Sequence, residues 1–191
     1  MVTAGPNICG TGFNYNDGGD VAWIKFPEYI PDDTNYAVTG AMTAGEYSQI
    51  LRAKNFGFAV PSGSVITNVS FTYQRKAGTA SRIMENNVAM LNASGSPGTN
   101  VADTVTTIAD SDENITKSGD GAYWGISLSS SLVNDADFGF QIKVKRYGTH
   151  DTVNARVGYV SCTVTYVVGG VGLIGPGLCE SKTLSGKVLI S

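Results

Sequence analysis

The stretch FGFQIKVK (residues 138–145) decides the fold of this chain. Every second residue, from Phe138 to Val144, is apolar, and this period of two is typical of a strand with one buried face. A second stretch, VGYVSCTVTYVV (residues 157–168), alternates in a similar way after a short polar turn. The two stretches together predict a pair of neighbouring antiparallel strands.

Other apolar runs, separated by turn signals, extend this pattern to about eight short strands. Residues 56–60 and 65–75 are predicted to form two strands joined by a turn, and residues 87–91 a further one. Residues 99–121 are predicted to form a loop with one or two short edge strands, and residues 130–137 to begin with a serine-capped helical turn. We therefore predict an all-β fold, a single two-sheet antiparallel sandwich of jelly-roll type.

Glycine-rich segments flank the patterned middle and divide the chain into three parts. Residues 1–35 carry repeated glycines and two prolines, Pro27 and Pro31, which interrupt helices and central strands. We predict an irregular N-terminal arm with one short strand at residues 21–26 over these residues, the sandwich over residues 36–168, and a glycine-rich C-terminal arm over residues 169–191.

Both arms are predicted to bind other chains. A flexible spacer that ends in an apolar strand is suited to pairing with the edge of a neighbouring sheet, and a frayed terminus is the alternative. The candidate partner-binding residues of the two arms are Trp23, Phe26, Leu173, Ile174, Leu184, Val188, Leu189 and Ile190.

The charge and hydropathy of the chain exclude two classes of partner. Its 191 residues include 13 Lys and Arg and 16 Asp and Glu, for a net charge of −3. The basic residues are scattered, whereas nucleic-acid binding needs clustered ones. No apolar run approaches the roughly 20 residues that cross a bilayer, and the N-terminal sequence lacks the features of a secretory signal. We expect a soluble protein that has no cleaved leader and binds neither nucleic acid nor membrane.

The three cysteines, Cys9, Cys162 and Cys179, lack the spacing of a zinc site. Cys162 lies on the apolar face of its strand, which predicts a small core residue. Cys9 and Cys179 lie in the two arms. They are either free, as a reducing cytosol favours, or paired with each other or across subunits. We expect no cofactor.

The single histidine, His150, lies in a predicted turn beside Asp151. A hydrolase needs a nucleophile with a base within reach, or two carboxylates at a defined separation, and the sequence indicates neither. We interpret His150 as a solvated turn residue and expect no enzymatic activity. Tyr147 and His150 are the candidate residues of a ligand-facing tip.

Two polar groups have the oxygen ligands that calcium prefers. They are Asp110, Asp112 and Glu113, and separately Asn14, Asn16, Asp17 and Asp20. Neither group has the glycine position and spacing of a dedicated calcium loop, so we predict no metal site.

Aromatic side chains are the remaining candidates for ligand contact, because a flat ring can stack on a sugar. The six candidates are Trp23, Tyr29, Tyr123, Trp124, Tyr147 and Tyr159. Trp124 precedes Gly125 and the apolar Ile126, and we interpret it as a plug at the end of the core.

Several blocks of the sequence, in their order, carry a family resemblance. They are Ile50 and Leu51, NFGFAVPSGSVI (55–66), YWGISL (123–128), VNDADFGF (133–140) and VSCTVTYVV (160–168). Over residues 36–168 the chain resembles a family of small β-sandwich proteins encoded in tailed-phage and prophage genomes. The resemblance implies a structural component of the virion.

The resemblance and the two arms lead to a functional prediction. We expect a non-enzymatic capsid decoration or cement protein, assembled in the host cytoplasm and located on the capsid exterior. Its partners would be the major capsid protein or other virion proteins, which the arms would clamp through several weak contacts. A homo-oligomer is expected, with a trimer as the first choice because oligomers are usually symmetric.

Two alternatives come from other functional classes. The first is a tail, collar or fibre component whose sandwich binds a host glycan through exposed tyrosine and tryptophan side chains. The second is an enzyme, which the lack of a convergent acid and base disfavours.

Overall fold

Two long antiparallel strands form the centre of the larger sheet. The computed structural model describes residues 1–25, 35–149 and 151–169. Within them the elements are β1 (Val2–Ile8), β2 (Thr11–Tyr15), β3 (Trp23–Lys25), β4 (Ala37–Thr39), β5 (Ile50–Lys54), β6 (Val65–Ala77), β7 (Ile83–Leu91), β8 (Glu113–Gly119), α1 (Gly121–Trp124), α2 (Ser130–Val133), β9 (Gly139–Arg146) and β10 (Ala155–Val167). Strand β6 pairs with β10 from Val65 to Ala77.

The strands of the described residues form two antiparallel sheets. The larger sheet has the order β3-β4-β10-β6-β8, and β1 pairs with the part of β10 that lies beyond β4. The smaller, four-stranded sheet has the order β2-β5-β9-β7. This arrangement confirms the predicted all-β, two-sheet antiparallel sandwich. No helix among the described residues is long and apolar enough to cross a bilayer.

The core between the sheets is built from the alternating faces that the sequence indicates. Phe138, Phe140, Ile142 and Val144 are buried, as are the apolar residues of β10 from Val160 to Tyr166. Trp124 is buried as predicted. Its ring meets Phe71 edge-on at a centroid distance of 5.5 Å, and its indole N–H donates to the Val69 carbonyl oxygen at 3.0 Å.

The N-terminal residues 1–25 belong to the sandwich, which differs from the predicted irregular arm. Strand β1 hydrogen-bonds to β10, and β2 extends the four-stranded sheet beside β5. Trp23 is buried instead of being available to a partner, and its indole N–H donates to the Gln49 carbonyl oxygen at 2.8 Å. The physical reason is that β5 and part of β10 would otherwise be sheet edges with unpaired backbone groups, which the glycine-containing strands satisfy.

A second difference concerns residues 56–60. Phe56, Phe58 and Val60 are buried, as their alternation indicates, but the segment is irregular and not a strand. The Asn134 side chain accepts a hydrogen bond from the Val60 N–H and donates one to the Val60 carbonyl oxygen, each at 2.8 Å. The Asn134 side chain therefore satisfies both backbone groups of Val60, which in a β-sheet would bond to a neighbouring strand.

Two further predictions for short elements are confirmed. Strand β8 lies at an edge of the larger sheet, within the region predicted to form a loop with edge strands. The turn α2 is capped by Ser129, whose side-chain oxygen accepts from the Leu132 N–H at 3.1 Å.

A buried ionic network joins the two sheets at one side of the sandwich. Arg75 Nη1 in β6 donates to Glu85 Oε1 in β7 at 2.8 Å, and Lys117 Nζ in β8 lies 3.5 Å from Glu85 Oε2. The Tyr73 hydroxyl also donates to Glu85, and the backbone N–H of Asp103 donates to Oε2 at 2.8 Å. The Glu85 side chain is fully buried, so its charge depends on these partners.

The network predicts a large cost for neutralising Glu85. Glu85→Gln leaves the buried Arg75 guanidinium without its closest carboxylate, and we expect it to lower the free energy of unfolding by about 3–5 kcal/mol. Asp112→Asn is the control, because Asp112 lies 3.7 Å from Lys76 in an exposed pair and should cost at most about 1 kcal/mol. Urea unfolding of both variants measures the difference, and equal costs would contradict a structural role for Glu85.

Candidate functional site

The outer face of the four-stranded sheet carries an unusual row of side chains. The register aligns Phe13 (β2), Arg52 (β5), Gln141 (β9) and Ala89 (β7) across all four strands. Their neighbours along the strands, such as Leu51, belong to the core. Because successive side chains alternate between faces, this row lies on the face that points away from the core. We call this surface the outer face.

Aromatic rings and cationic groups alternate on the outer face. The Arg52 guanidinium carbon lies 3.8 Å from the centroid of the Tyr15 ring, and Lys54 Nζ lies 5.6 Å from that of Phe13. Further along the face, Lys145 Nζ lies 4.9 Å from the centroid of the Tyr47 ring. These distances are typical of cation–π contacts. They hold flexible cationic side chains in place beside flat apolar surfaces.

Arg52 differs from its neighbours because no carboxylate pairs with it. Lys54 lies 2.9 Å from Asp137, and Lys143 lies 2.6 Å from Asp17. Within the described parts of the chain, no ion pair or hydrogen bond reaches the Arg52 guanidinium, and its Nε is buried without a partner. Burial lowers the pKa of Arg52, which the Tyr15 phenol and the Asp17 carboxylate oppose. Arginine nevertheless stays charged in proteins, so a positive charge that forms no ion pair with the described residues lies on this face.

The loop of residues 92–98 closes one end of the outer face. The Asn92 side-chain oxygen accepts hydrogen bonds from the backbone N–H groups of Ser94 and Ser96, each at 2.9 Å. Gly95 has a positive φ of 73° at the tip of this loop. A Cβ atom built on Gly95 would lie 3.4 Å from Lys54 Nζ and 3.7 Å from Arg52 Nη1. The loop is therefore shaped internally, and its tip lies beside two cationic groups.

Amide groups complete the polar character of the outer face. Gln141 Nε2 donates to Asn87 Oδ1 at 2.8 Å, whereas the Gln141 carbonyl oxygen is buried without a partner among the described residues. Planar rings, amides and cations in one area are suited to binding a polar ligand.

The predicted ligand-facing tip lies elsewhere. Tyr147 follows β9 and is 59% exposed, and its backbone N–H donates to the Arg82 carbonyl oxygen at 2.8 Å. His150 lies outside the described residues. The predicted tip is therefore represented in the structure by Tyr147 alone.

The other predicted aromatic candidates are dispersed. Tyr123 meets Trp124 edge-on at a centroid distance of 5.0 Å. Tyr159 lines a shallow cavity of about 560 Å³ beside Pro6 and Ile8, on the larger sheet. Tyr29 lies outside the described residues, as do the arm candidates Phe26, Leu173, Ile174, Leu184, Val188, Leu189 and Ile190.

Most of the oxygen ligands considered for calcium already have other partners. Asp112 Oδ1 accepts from the Tyr36 hydroxyl at 2.8 Å, and Glu113 Oε2 accepts from Arg75 Nε at 3.2 Å. Asp17 binds Lys143, and Asp20 Oδ2 accepts from the Tyr47 N–H at 2.8 Å. Among the residues that the structure describes, no three His, Cys, Asp or Glu side chains are grouped to hold a metal ion.

The two cysteines within the described residues, Cys9 and Cys162, are free and buried. The prediction that Cys162 is a core residue is confirmed. Burial raises the pKa of the Cys9 thiol to about 12, so this thiol is protonated at neutral pH and a poor nucleophile. Cys179, the proposed partner of Cys9, lies outside the described residues.

Sequence reasoning missed the residues of the outer face. Phe13 and Tyr15 lie in TGFNY (residues 11–15), which alternates but was assigned to an irregular arm. Arg52 lies in ILRAK (residues 50–54), and the pattern of Arg52 and Lys54 in this short sequence forms no recognisable ligand-binding motif. The alternation of TGFNY is the one signal that could have indicated β2, the strand at one edge of the four-stranded sheet.

Comparison with known proteins gives distant similarity to solved structures. No protein-family model matches the sequence, and no curated protein matches it. Among solved structures, the chain is similar to the N-terminal cellulose-binding domain of β-1,4-glucanase C from Cellulomonas fimi. The sequence identity is 15%, the TM-score is 0.40, and the match covers 83% of this chain and 96% of that domain.

Proposed function

We propose that the protein is a non-enzymatic structural component of a phage particle and that its outer face binds a glycan. The virion role rests on the sequence resemblance described above. The glycan-binding role rests on one observation, the row of Phe13, Arg52 and Gln141 with Tyr15 beside it on the outer face. The sequence alone favours capsid decoration over glycan binding. The outer face reverses this order and favours glycan binding.

The outer face has the physical properties that sugar binding requires. Phe13 and Tyr15 offer apolar ring surfaces for the C–H faces of a sugar, because an aromatic ring gains from covering apolar area. The neighbouring cations can hydrogen-bond sugar oxygens. A strand pair also holds its side chains at fixed spacings, so the rings need little ordering when a ligand binds.

Tyr15 is the residue whose replacement tests the proposal most clearly. We expect Tyr15→Ala to weaken glycan binding at least about tenfold, or roughly 1.4 kcal/mol, because it removes a ring that is 42% exposed on the outer face. Tyr15→Phe should retain binding. A glycan array followed by affinity electrophoresis on the best ligand provides the measurement.

Tyr147→Ala is the matched control for this experiment. It removes an equally large exposed ring from the turn after β9, six residues beyond Gln141, the residue of β9 that pairs with Arg52. Loss of binding in Tyr147→Ala with full binding in Tyr15→Ala would assign the ligand to the tip and contradict the proposed face. Thermal unfolding of each variant would show whether the fold is intact.

Capsid decoration is the second candidate, and an exposed apolar surface favours it. Val65 and Val167 face each other across the β6–β10 pair and are 62% and 43% exposed, and Val168 beside them is 51% exposed. Exposed apolar side chains that are grouped together are suited to contact with another protein. A virion protein seated on this surface would bury them.

This second candidate makes its own prediction. If the valines bind a capsid, Val167→Ser should reduce the number of copies that bind to heads lacking the protein, whereas Tyr15→Ala should leave that number unchanged. Gel quantification of purified, reconstituted particles provides the measurement. Unchanged binding of Val167→Ser, or no binding to heads by the natural sequence, would contradict the decoration role at this surface.

A further inference from the structure

Arg52 is a largely buried cation that forms no ion pair or hydrogen bond with the described residues, although the nearby Asp17 carboxylate favours its charged form. The residue is only 9% exposed. Burying a cation without a carboxylate is unfavourable, and other largely buried cations on the same sheet have one, as Lys54 and Lys143 do. Contact with the Tyr15 ring compensates only in part, since a cation–π contact leaves the N–H donors unused. Arg52 therefore has hydrogen-bonding capacity and charge available for a ligand.

Arg52 and Lys54 converge on one point at the edge of the outer face. Both Arg52 Nη1 and Lys54 Nζ lie within 4 Å of the position where a Cβ atom of Gly95 would be. Because residue 95 is a glycine, no side chain of the loop tip covers these two cationic groups. The space is bounded by two cationic donors and by a loop tip that the Asn92 side chain holds in shape.

The charge of the outer face differs from that of the whole chain. Arg52, Lys54, Lys143 and Lys145 lie on it with two paired carboxylates, those of Asp17 and Asp137. The outer face is thus positive, although the chain carries a net charge of −3. A positive face on a negatively charged protein attracts anions to that place and to few others.

We propose that Arg52, Lys54 and the turn at Gly95 form a subsite for a carboxylate, and that the glycan bound by the outer face is an acidic, uronate-containing polysaccharide. This inference rests on the proposed glycan-binding function. A guanidinium and a carboxylate match in planar geometry and form two parallel hydrogen bonds. Lys54 Nζ donates to the same group, and the sugar ring extends over Tyr15 and Phe13.

The test compares polysaccharides that differ only in the carboxylate. The probes are polygalacturonate, alginate and hyaluronan, each beside its carboxyl-reduced form, with affinities measured by titration calorimetry. The full chain should bind at least one acidic polymer about tenfold or more tightly than the reduced polymer. Arg52→Gln should lower the affinity for the acidic polymer about ten- to hundredfold, which is the range for a hydrogen bond to a charged group, and should remove most of the difference between the acidic and the reduced polymer.

Two further variants make the result specific. Lys76→Gln removes the same charge from the larger sheet, where Lys76 pairs with Asp112, and should leave both affinities unchanged. Lys54→Gln should weaken binding of the acidic polymer too. Because Lys54 belongs to a partly exposed ion pair, its loss should cost little stability, so the test survives if Arg52→Gln does not fold. The acidic preference should also decrease at high salt.

The outcomes separate the two proposals. Equal affinity for acidic and reduced polymers that neither Arg52→Gln nor Lys54→Gln changes would overturn the carboxylate subsite and leave glycan binding in place. No binding to any acidic or neutral polymer, on calorimetry and on the array, would overturn both. An equal loss in Lys76→Gln would show that net charge, and not the subsite, determines the preference, and would also overturn it.

Discussion

The antiparallel pairing of β6 with β10 is the interaction on which the rest of the structure depends. The pair runs from Val65 to Ala77, and each strand offers its second edge to further strands. Strands β1 and β4 use the edge of β10, and β8 uses the edge of β6. Because one face of the pair is apolar from Val69 to Tyr73 and from Val160 to Tyr166, the four-stranded sheet must cover it, and the aromatic cluster around Phe71 fills the space between the two sheets.

The same alternation that builds the core creates the candidate site. In β5 and β9 the inward residues are apolar, so Arg52 and Gln141 must point outward, and pairing in register places them side by side. Strand β2 adds Phe13 and Tyr15 to this row. Two of the buried arginines, Arg52 and Arg75, then behave differently. Arg75 is compensated by Glu85 and Glu113, and its network supports stability, whereas Arg52 has no such partner and is the natural point of contact for a ligand.

Much of the fold could be predicted from local patterns, and the site could not. The faces of β6, β9 and β10, the buried Trp124 and the serine-capped turn α2 all follow from short-range periodicity and capping. The N-terminal strands could not be predicted, since β1 and β2 are defined by pairing with residues about 40 to 160 positions away. The irregular segment at Phe56 and Phe58 depends on the distant Asn134. The site combines β2, β5 and the loop at Gly95, so no contiguous motif records it.

The central claim is that ligand contact occurs on the outer face of the four-stranded sheet. Chemical-shift mapping of the ¹⁵N-labelled full chain with a soluble oligogalacturonate tests it most directly. The account predicts that the largest shifts occur at the backbone amides of Phe13, Arg52 and Gly95 and at the Arg52 Nε–H. Shifts confined to the turn at Tyr147 or to the valine surface at Val65 and Val167 would contradict it. The absence of any shift would contradict it as well.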